Sequence, residues 1–340
     1  MPAPRLSMER MLGVYEDVKR HGEIGKAAAE RGEPYNTVAK VYRAAVTQMN
    51  LPDLRSHPKA LAAMPSPARS YEGCADNALA LDLPLTDAVI VAFGDAHWRS
   101  IKQARSLAHE GLLSALPHLR PTHLLATGDM MDLAAIGRHG PVMWETRPTV
   151  MEEIGAAQTH LADIRDLVPS AECLWLRGNH DDRFDKFLAA NAAAFDGMAG
   201  TRLEDHFPEW EMHWRINVPG VLVAMLAMFG GVMAGRTNTL RGGVSTLSGH
   251  THQLGVTPLN DFTGRRWGIE AGTLADPNWP QFAYTLGNTD KAAPGWVVLT
   301  IRGGRMLQPE TCEVVDGVAW FRGEPLAGRW RTRRPAGRAA

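Results

Sequence analysis

Residues 88–93, Ala-Val-Ile-Val-Ala-Phe, form an uninterrupted apolar run, and Gly94-Asp95-Ala96-His97 follows it directly. An apolar run of this length without alternation is typical of a strand that is buried on both faces of a sheet. Two further runs, predicted as strands over 123–126 and 173–176, also lead straight into polar residues. These three segments decide the fold, because strands of this kind belong to the centre of an α/β domain.

Helical stretches separate these strands, and shorter strands follow them. Apolar residues at helical spacing predict helices over 101–116 and 150–167. Strands that alternate with helices favour a largely parallel first sheet. After Trp210 the pattern changes to short strands. These are predicted over 212–218, 221–228, 244–247, 265–271, 296–301 and 308–315.

Four polar blocks follow apolar runs, and each contains side chains that ligate metals. Carboxylate, amide and imidazole donors suit Mn, Fe, Zn or Mg rather than a thiolate site. Loops that leave one edge of a sheet converge on one point, so the blocks are expected to meet. One such block alone means little, but four in this order argue against coincidence. The blocks are Phe93-Gly94-Asp95-Ala96-His97, Thr127-Gly128-Asp129-Met130-Met131-Asp132, Arg177-Gly178-Asn179-His180-Asp181 and Ser248-Gly249-His250-Thr251-His252.

The order of these blocks resembles the calcineurin-like metallophosphoesterase superfamily over roughly residues 88–302. The resemblance implies an α/β fold of two mixed β-sheets packed face to face with flanking helices. It also implies two divalent metal ions (Mn, Fe, Zn or Ni) and a metal-bridging hydroxide that attacks phosphorus in line.

The resemblance assigns a role to each polar residue of the blocks. The first metal would be held by Asp95, His97, Asp129 and His252. The second would be held by Asp129, Asn179 and His250. His180 would stabilise the leaving oxygen, oriented by Asp181 or Asp182. Asp132 is expected to cap the following helix or to orient a ligand.

One expected ligand of the second metal is missing. In this family another His lies between the third and fourth blocks, whereas residues 214–249 contain no His, Asp, Glu or Cys. Residues 230–238 resemble a phage-type subgroup in which Gly-Gly-x-His-Ala is expected. In this chain Met233 occupies the position of that His, and a thioether is a poor ligand for a hard ion. Three outcomes are open: water, Asn238 or His213 completes the shell; the second site is weak; or one metal binds and catalysis is impaired.

Residues 1–49 are predicted to form a small helical domain. Helices are expected over 8–19, 24–31 and 35–45, and Gly32 in the turn gives a helix-turn-helix pattern. A recognition helix would contact DNA, and the alternative is a helical hairpin used for packing or oligomer contacts. The candidate DNA contacts are Asn36, Thr37, Lys40 and Arg43.

Charge and composition set the remaining domain boundaries. Residues 50–86, with Pro52, Pro58, Pro65 and Pro67, are predicted as a linker. Residues 87–320 are predicted as the metallophosphoesterase domain, and residues 321–340 as a basic, disordered tail. The net charge is −1, but residues 1–60 carry ten Lys or Arg against seven Asp or Glu. The basic ends suit nucleic acid, and the alternative is that they are simply solvated.

Composition indicates an ordinary globular protein. Apolar residues make up 45% of the 340 residues, and three dispersed cysteines argue against a disulfide framework. The longest apolar stretch, residues 221–235, is shorter than the ~20 residues of a membrane helix and is interpreted as a buried strand. The start lacks the apolar core of a signal peptide, so we expect a cytoplasmic protein with no membrane partner.

The leading hypothesis is a metal-dependent phosphodiesterase that acts on nucleic acid or nucleotides. Residues 256–264 and 267–277 also resemble the phage and prophage branch, which favours a diester. One alternative is a DNA-binding or structural protein with a degenerate phosphoesterase domain, and another is a phosphomonoesterase. Aromatic side chains near the predicted site loops would stack on a base or simply pack. They are Trp98, Trp144, Trp267, Trp279 and Phe282.

Overall fold

The protein divides into two compact units. The structure is a computed structural model that describes residues 7–48, 80–138, 140–141, 145–226, 229–262, 264–285 and 291–329. Contacts assign residues 1–74 to the first unit and residues 75–340 to the second. Each unit has its own buried core.

Three helices build the first unit: α1 (Met8–His21), α2 (Ile24–Arg31) and α3 (Tyr35–Gln48). Gly32 ends α2 in the left-handed conformation, which turns the chain into α3. The apolar faces of all three helices share one core, in which the rings of Tyr15 and Tyr42 stack with centroids 5.9 Å apart. The three predicted helices are confirmed, and two of them are longer than expected.

The second unit contains two sheets and four further helices. The helices are α4 (Leu107–Leu119), α5 (Val150–Asp166), α6 (Arg183–Asn191) and α7 (Ala234–Gly242). The strands are β1 (Ala80–Asp82), β2 (Ala88–Phe93), β3 (His123–Ala126), β4 (Glu172–Leu176), β5 (Glu211–His213), β6 (Arg215–Val218), β7 (Leu222–Met225), β8 (Ser245–Ser248), β9 (Leu254–Asp261), β10 (Gly264–Ala271), β11 (Gly295–Arg302), β12 (Arg305–Met306), β13 (Glu310–Val315), β14 (Val318–Phe321) and β15 (Glu324–Gly328).

Both sheets are mixed. The larger has the order β15-β14-β13-β11-β2-β3-β4-β5, with β12 paired to β11, and the smaller has the order β1-β6-β7-β8-β10-β9. Strands β2 to β5 are parallel neighbours, and so are β7, β8 and β10. The carboxyl ends of parallel strands meet at one edge, which is where loops can converge.

Alternate side chains of β2 lie in two different apolar cores, one on each face of the larger sheet. Ile90 and Ala92 belong to the core between the two sheets, together with residues of β7 and β10. Val91 and Phe93 belong to the core under α4 and α5. The expected sandwich of two face-to-face sheets with flanking helices is therefore confirmed. A strand buried on both faces explains the continuous apolar run that begins at Ala88.

Several predicted boundaries are wrong. The stretch 221–235 forms a strand only over Leu222–Met225, and Ala234 already begins α7. Strand β9 was not predicted, because it is a half-exposed edge strand without an apolar run. The helix expected over 101–116 begins only at Leu107, where the Ser106 hydroxyl caps it by accepting the His109 N–H at 3.1 Å.

The predicted linker and tail both contain structured strands. Residues 80–82 lie in the predicted linker, yet β1 pairs with β6 at the edge of the smaller sheet. Residues 324–328 lie in the predicted tail, yet β15 pairs with β14. Such short edge strands leave no apolar periodicity in the sequence. Most of the linker and residues 330–340 lie outside the described residues. None of the described helices is long and apolar enough to cross a membrane.

Candidate active site

The four polar blocks meet at the carboxyl ends of β2, β3, β4 and β8, and backbone hydrogen bonds join them. The Asp95 N–H donates to the Gly128 carbonyl at 2.9 Å, and the His97 N–H donates to the Asp129 carbonyl at 3.1 Å. The His250 N–H donates to the Asp95 carboxylate at 2.8 Å. The structure thus brings the polar blocks together at one edge of the sheets, as the sequence predicted.

Glycines in the blocks are required by close contacts. A Cβ atom on Gly94 would lie 1.9 Å from the Thr127 hydroxyl oxygen. A Cβ atom on Gly178 would lie 2.1 Å from a carboxylate oxygen of Asp129. Neither loop could carry a larger residue at these positions without moving a candidate ligand. This explains why glycine precedes the polar residues in each block.

The backbone at the site is strained. Asp95, His97, Asp129, His250 and His252 all have positive φ angles, between 47° and 69°. A non-glycine residue in this region costs roughly 1–3 kcal/mol and persists only where the surrounding structure enforces it. These residues are five of the nine non-glycine residues with positive φ in the described part of the chain. Such concentration of strain is characteristic of functional sites.

Asp95, His97 and His252 form a compact group of candidate ligands, which we call the first cluster. Nε2 of His97 lies 3.1 Å from Nε2 of His252, which lies 3.4 Å from Oδ1 of Asp95. Atoms that bind one ion at about 2.1 Å lie roughly 3.0–3.4 Å apart in octahedral or tetrahedral geometry. The first cluster is therefore spaced to hold a single ion.

Protonation in the first cluster also suits a cation. Burial lowers the pKa of His97 to about 4 and that of His252 to about 3, so both imidazoles are neutral at pH 7 and can ligate metal. Burial raises the pKa of the Asp95 carboxyl well above its usual range, an effect that a neighbouring cation would oppose. Imidazole and carboxylate donors fit Mn, Fe, Zn or Ni.

Asp129 is buried beside the first cluster. Its Oδ1 accepts the His180 N–H at 2.8 Å, and burial raises the pKa of its carboxyl well above the usual range. Among the described residues, the compact groups of ligand atoms are the first cluster and the set His97, Asp132 and His180. Asp129 belongs to neither group, so the structure brings it to the site without fixing its predicted bridging role.

Asp181 organises the loops instead of orienting His180. Its buried carboxylate accepts the backbone N–H groups of Gly178, Asp129 and Met130 and the indole N–H of Trp175, at 2.8–3.0 Å. Four donors satisfy both oxygens of the carboxylate. The expectation that Asp181 holds the His180 ring is therefore wrong. The same holds for Asp182, whose carboxylate pairs with Lys186.

Asp132 is the partner of His180. Nδ1 of His180 lies 3.0 Å from the Asp132 carboxylate and 3.1 Å from its carbonyl oxygen. Burial is the largest influence on the pKa of His180 and lowers it, but the hydrogen bond to Asp132 and the charges of Asp129 and Asp132 together raise the pKa above its usual value. Asp132 also lies 3.6 Å from Nδ1 of His97 and accepts from Arg99 Nε at 2.7 Å. Of the two roles expected for Asp132, orientation of a neighbouring histidine matches its contacts.

Glu153 performs the capping that was expected of Asp132. This fully buried carboxylate on α5 accepts the Leu133 N–H and, at 3.1 Å, the Ala134 N–H. These donors begin the short 3₁₀ helix Ala134–Ile136, directly after Asp132. Burial raises the pKa of Glu153 to about 7. Nothing in the sequence marks Glu153, because its partner lies twenty residues away in another element.

Arginines around His180 were also missed from the sequence. Arg183 lies one helical turn beyond His180, and its guanidinium is 3.1 Å from Nε2 of that ring and 2.6 Å from the Asp132 carbonyl. Arg99 pairs with Asp132 and with Glu145. The only sequence signal was the position of each arginine within three residues of a block.

The remaining candidate ligands lie in a more open environment. Asn179 and His250 line the same cavity as Asp129 but have exposed side chains. Burial lowers the pKa of His250, which keeps its imidazole neutral at pH 7. Met233, at the position of the missing His, is 56% exposed at the start of α7. We call Asn179 and His250, with Asp129, the second set.

The two side chains proposed to replace the missing His have other partners. Oδ1 of Asn238 accepts the Phe229 N–H at 3.0 Å. Nε2 of His213 lies 2.8 Å from Glu211. Neither side chain lines the cavity around the blocks. The structure therefore disfavours the outcome in which Asn238 or His213 completes the second shell.

A cavity of about 1060 Å³ opens in front of these residues. His97, Asp129, Asn179, His180, His250 and His252 all line it. Six cationic side chains also line it: Arg99, Arg138, Arg147, Arg183, Lys186 and Lys291. Three carboxylates line it as well, those of Asp129, Asp132 and Glu145. Because the cations outnumber the carboxylates by six to three, the cavity favours polyanions such as phosphate esters.

Most of the predicted stacking aromatics are packed instead. Trp98 and Trp267 are buried, and Phe282 is 8% exposed, with its edge against the His97 and His252 rings. Trp279 is half-buried against the apolar core under the helices. Trp144 lies outside the described residues.

Comparisons with known proteins give similarity at the level of solved structures. No family model matches the sequence, and no curated protein matches it. Vacuolar protein sorting 29 from Cryptosporidium parvum is 11% identical, with a TM-score of 0.38 over 72% of this chain and 100% of that one. The phosphoesterase Yfce from E. coli is 14% identical, with a TM-score of 0.28 over 65% and 97%. The nuclease MPE from Pseudomonas putida is 15% identical, with a TM-score of 0.29 over 65% and 86%.

These likenesses are too distant to carry chemistry. All three TM-scores are below 0.5 and all three identities are below 25%. Function lives in the side chains of a site and not in the fold around it. The case for an activity therefore rests on the candidate ligands, His180 and the charged cavity.

Proposed function

We propose that this protein is a metal-dependent phosphodiesterase of the calcineurin-like metallophosphoesterase superfamily. One observation carries the proposal: the first cluster lies beside a histidine whose ring is held by an aspartate, at the wall of a cationic cavity. Each part suits one need of phosphoryl transfer, namely metal binding, protonation of the leaving oxygen and binding of the phosphate.

The candidate ligands would hold two divalent ions. Asp95, His97 and His252 fit the first, and the second set fits the other with fewer ligands. When bound, such ions lower the pKa of coordinated water and neutralise phosphoryl oxygens. Since Met233 supplies no donor and is exposed, we propose that the second ion binds weakly and fills only at higher metal concentration.

His180 supplies the proton. Asp132 accepts the hydrogen bond from Nδ1 and raises the pKa of the ring, so the imidazolium is more populated near neutral pH. Nε2 is then the atom that donates a proton to the leaving oxygen. In this structure the Arg183 guanidinium, 3.1 Å from Nε2, can only donate to that atom. We propose that Arg183 moves to a phosphoryl oxygen when substrate binds, which leaves Nε2 free to carry the proton.

The size of the cavity favours a diester over a monoester. A monoester phosphate with its bound ions would fill only part of about 1060 Å³. Cationic side chains from several segments of the chain line the cavity, among them Arg99, Arg138, Arg183 and Lys291, and would offer contacts to further phosphates. We therefore propose a substrate that continues in both directions, such as a nucleic-acid strand.

The first unit supports a separate proposal of DNA binding. Thr37, Lys40 and Arg43 have exposed side chains and follow one another at helical spacing on α3. These residue types suit phosphate and base-edge contacts, and the preceding turn matches the helix-turn-helix pattern. The Asn36 side chain lies outside the described residues.

Hydrolysis of an activated diester against the matching monoester tests the proposed activity. With added Mn²⁺ we expect turnover of bis(p-nitrophenyl) phosphate to exceed that of p-nitrophenyl phosphate, and Asp129→Asn to abolish it. Elemental analysis of the purified protein is the companion measurement. Absence of both metal and turnover would favour the DNA-binding alternative, and faster monoester turnover would favour a phosphomonoesterase.

A further inference from the structure

Helix α6 presents one continuous stripe of side chains to the cavity. The stripe consists of Arg183, Lys186, Phe187, Ala190 and Asn191, which follow the helical spacing of three and four residues. It starts one turn beyond His180 and leads away from the candidate reaction centre. A substrate that extends from His180 along this wall must therefore contact α6.

Phe187 is the feature of this stripe that the fold does not explain. Its side chain is 42% exposed although it lines the cavity, whereas Phe282 in the same cavity is 8% exposed. Of the large apolar side chains that are exposed in the described part of the chain, Phe187 alone lines the cavity, where a bound ligand would remove its ring from water. Neighbouring Ala190 is too small to cover the ring.

The surroundings of Phe187 identify the chemistry of that ligand. Exposed cations of the same cavity make an anionic bound chain the expected ligand. They are Arg138, Lys291 and Lys186, of which Lys186 also pairs with Asp182. The amide nitrogen of Asn191 donates to the backbone carbonyl of Phe187 at 2.9 Å, which leaves the amide oxygen of Asn191 to accept from a ligand. An aromatic face in a cavity that also carries cations is the usual platform for a base of a single strand.

The spacing along the helix agrees with a nucleotide. Arg183 and Phe187 are separated by four residues, or about 6 Å of helix axis. Arg183 faces the candidate phosphate position, so Phe187 lies one sugar further along the chain. We infer that Phe187 is a specificity-determining residue that stacks on a base of a single-stranded nucleic acid, with Lys186 and Arg138 on the adjacent phosphates. This inference rests on the proposed phosphodiesterase site.

Binding to a protein that cannot turn over tests the inference. The probe is a labelled oligothymidylate, and fluorescence anisotropy is measured with Asp129→Asn protein that also carries Phe187→Ala. Loss of a stacked base is expected to raise Kd about 5- to 100-fold. Phe187→Trp should keep the parent affinity. Phe195→Ala is the matched control, because Phe195 is 55% exposed in the same domain but does not line the cavity.

An abasic strand of the same length separates stacking from charge. Its affinity is expected to be the same with and without Phe187→Ala, because it carries the phosphates but no bases. The inference would be overturned if Phe187→Ala weakened the binding of both strands equally, or if it did not weaken the binding of oligothymidylate. Turnover of a small diester without any oligothymidylate binding would also overturn it and leave the proposed activity intact. Phe187-dependent binding without any phosphoester turnover would support the inference and contradict the proposed activity.

Discussion

The two halves of the candidate site differ in how firmly the fold holds them. Asp95 and His97 of the first cluster are buried, and their ligand atoms face those of His252 at the spacing of a single ion. Asn179 and His250 of the second set are exposed, and Met233 stands where a further donor is expected. Preorganised ligands bind tightly because little ordering is left for the moment of binding. This difference in burial is the basis for proposing one strong and one weak metal site.

The largest loss of turnover is expected when a ligand of the first cluster is removed. Asp95→Ala should remove the strongly bound metal and lower diester turnover by roughly 10³-fold or more, because a metal supplies several kcal/mol of transition-state stabilisation. Excess Mn²⁺ should restore most of the diester turnover of Asn179→Ala, a variant of the second set, but should not restore that of Asp95→Ala. Metal content and Mn²⁺-dependent rates measure both. Equal rescue of the two variants would remove the distinction between the halves.

His180 belongs to neither half, and its loss is expected to lower turnover by the next largest factor. His180→Ala should lower turnover by ~10²–10⁴-fold for a poor leaving group and by less for p-nitrophenolate, which needs no proton. Metal content should stay at the parent level. His118→Ala, at an exposed position of α4, is the control. A similar loss for both leaving groups would speak against a role in protonation.

Acid stability should distinguish the two halves in the metal-free protein. The pKa of His252 is lowered to about 3 in the folded protein and is about 6.5 when unfolded. The unfolded state therefore binds the extra proton between these values. This stabilising contribution is complete above pH 6.5 and falls by about 1.4 kcal/mol per pH unit below it.

The free energy of unfolding in urea should fall less steeply from pH 6.5 to pH 4 in His252→Gln than in the parent protein. His250→Gln, in the exposed half, should reduce this slope by a smaller amount. Asp95 and Asp129 act in the opposite direction because burial raises their pKa values. The difference between variants is therefore the quantity to measure. Identical pH slopes for both variants would contradict the contrast in burial.

The smallest effect is expected at the missing ligand. Met233→His should tighten the second site and raise turnover several-fold at low Mn²⁺, with little change at saturating metal. Val232→His is the control, because Val232 is the exposed neighbour of Met233. If both variants, or neither, change the Mn²⁺ dependence, then position 233 is not where the missing ligand would lie.

The sequence predicted the convergence of the blocks but not the contacts between them. Apolar runs such as 88–93 and the glycines that follow them are local signals of a buried strand and a tight loop. The pairing of Asp132 with His180, and of Glu153 with Leu133, joins elements far apart in the chain, and no periodicity encodes it. The half-exposed strand β9 and the exposed ring of Phe187 were missed because apolar patterns report burial, not function.

Titration of Mn²⁺ into metal-free protein tests the central contrast most directly. The account predicts two classes of site per chain, with the weaker at least about tenfold below the stronger. Asp95→Ala should remove the strong class, and His250→Ala should remove the weak class only. Two sites of equal affinity, or a strong class that survives Asp95→Ala, would contradict the account.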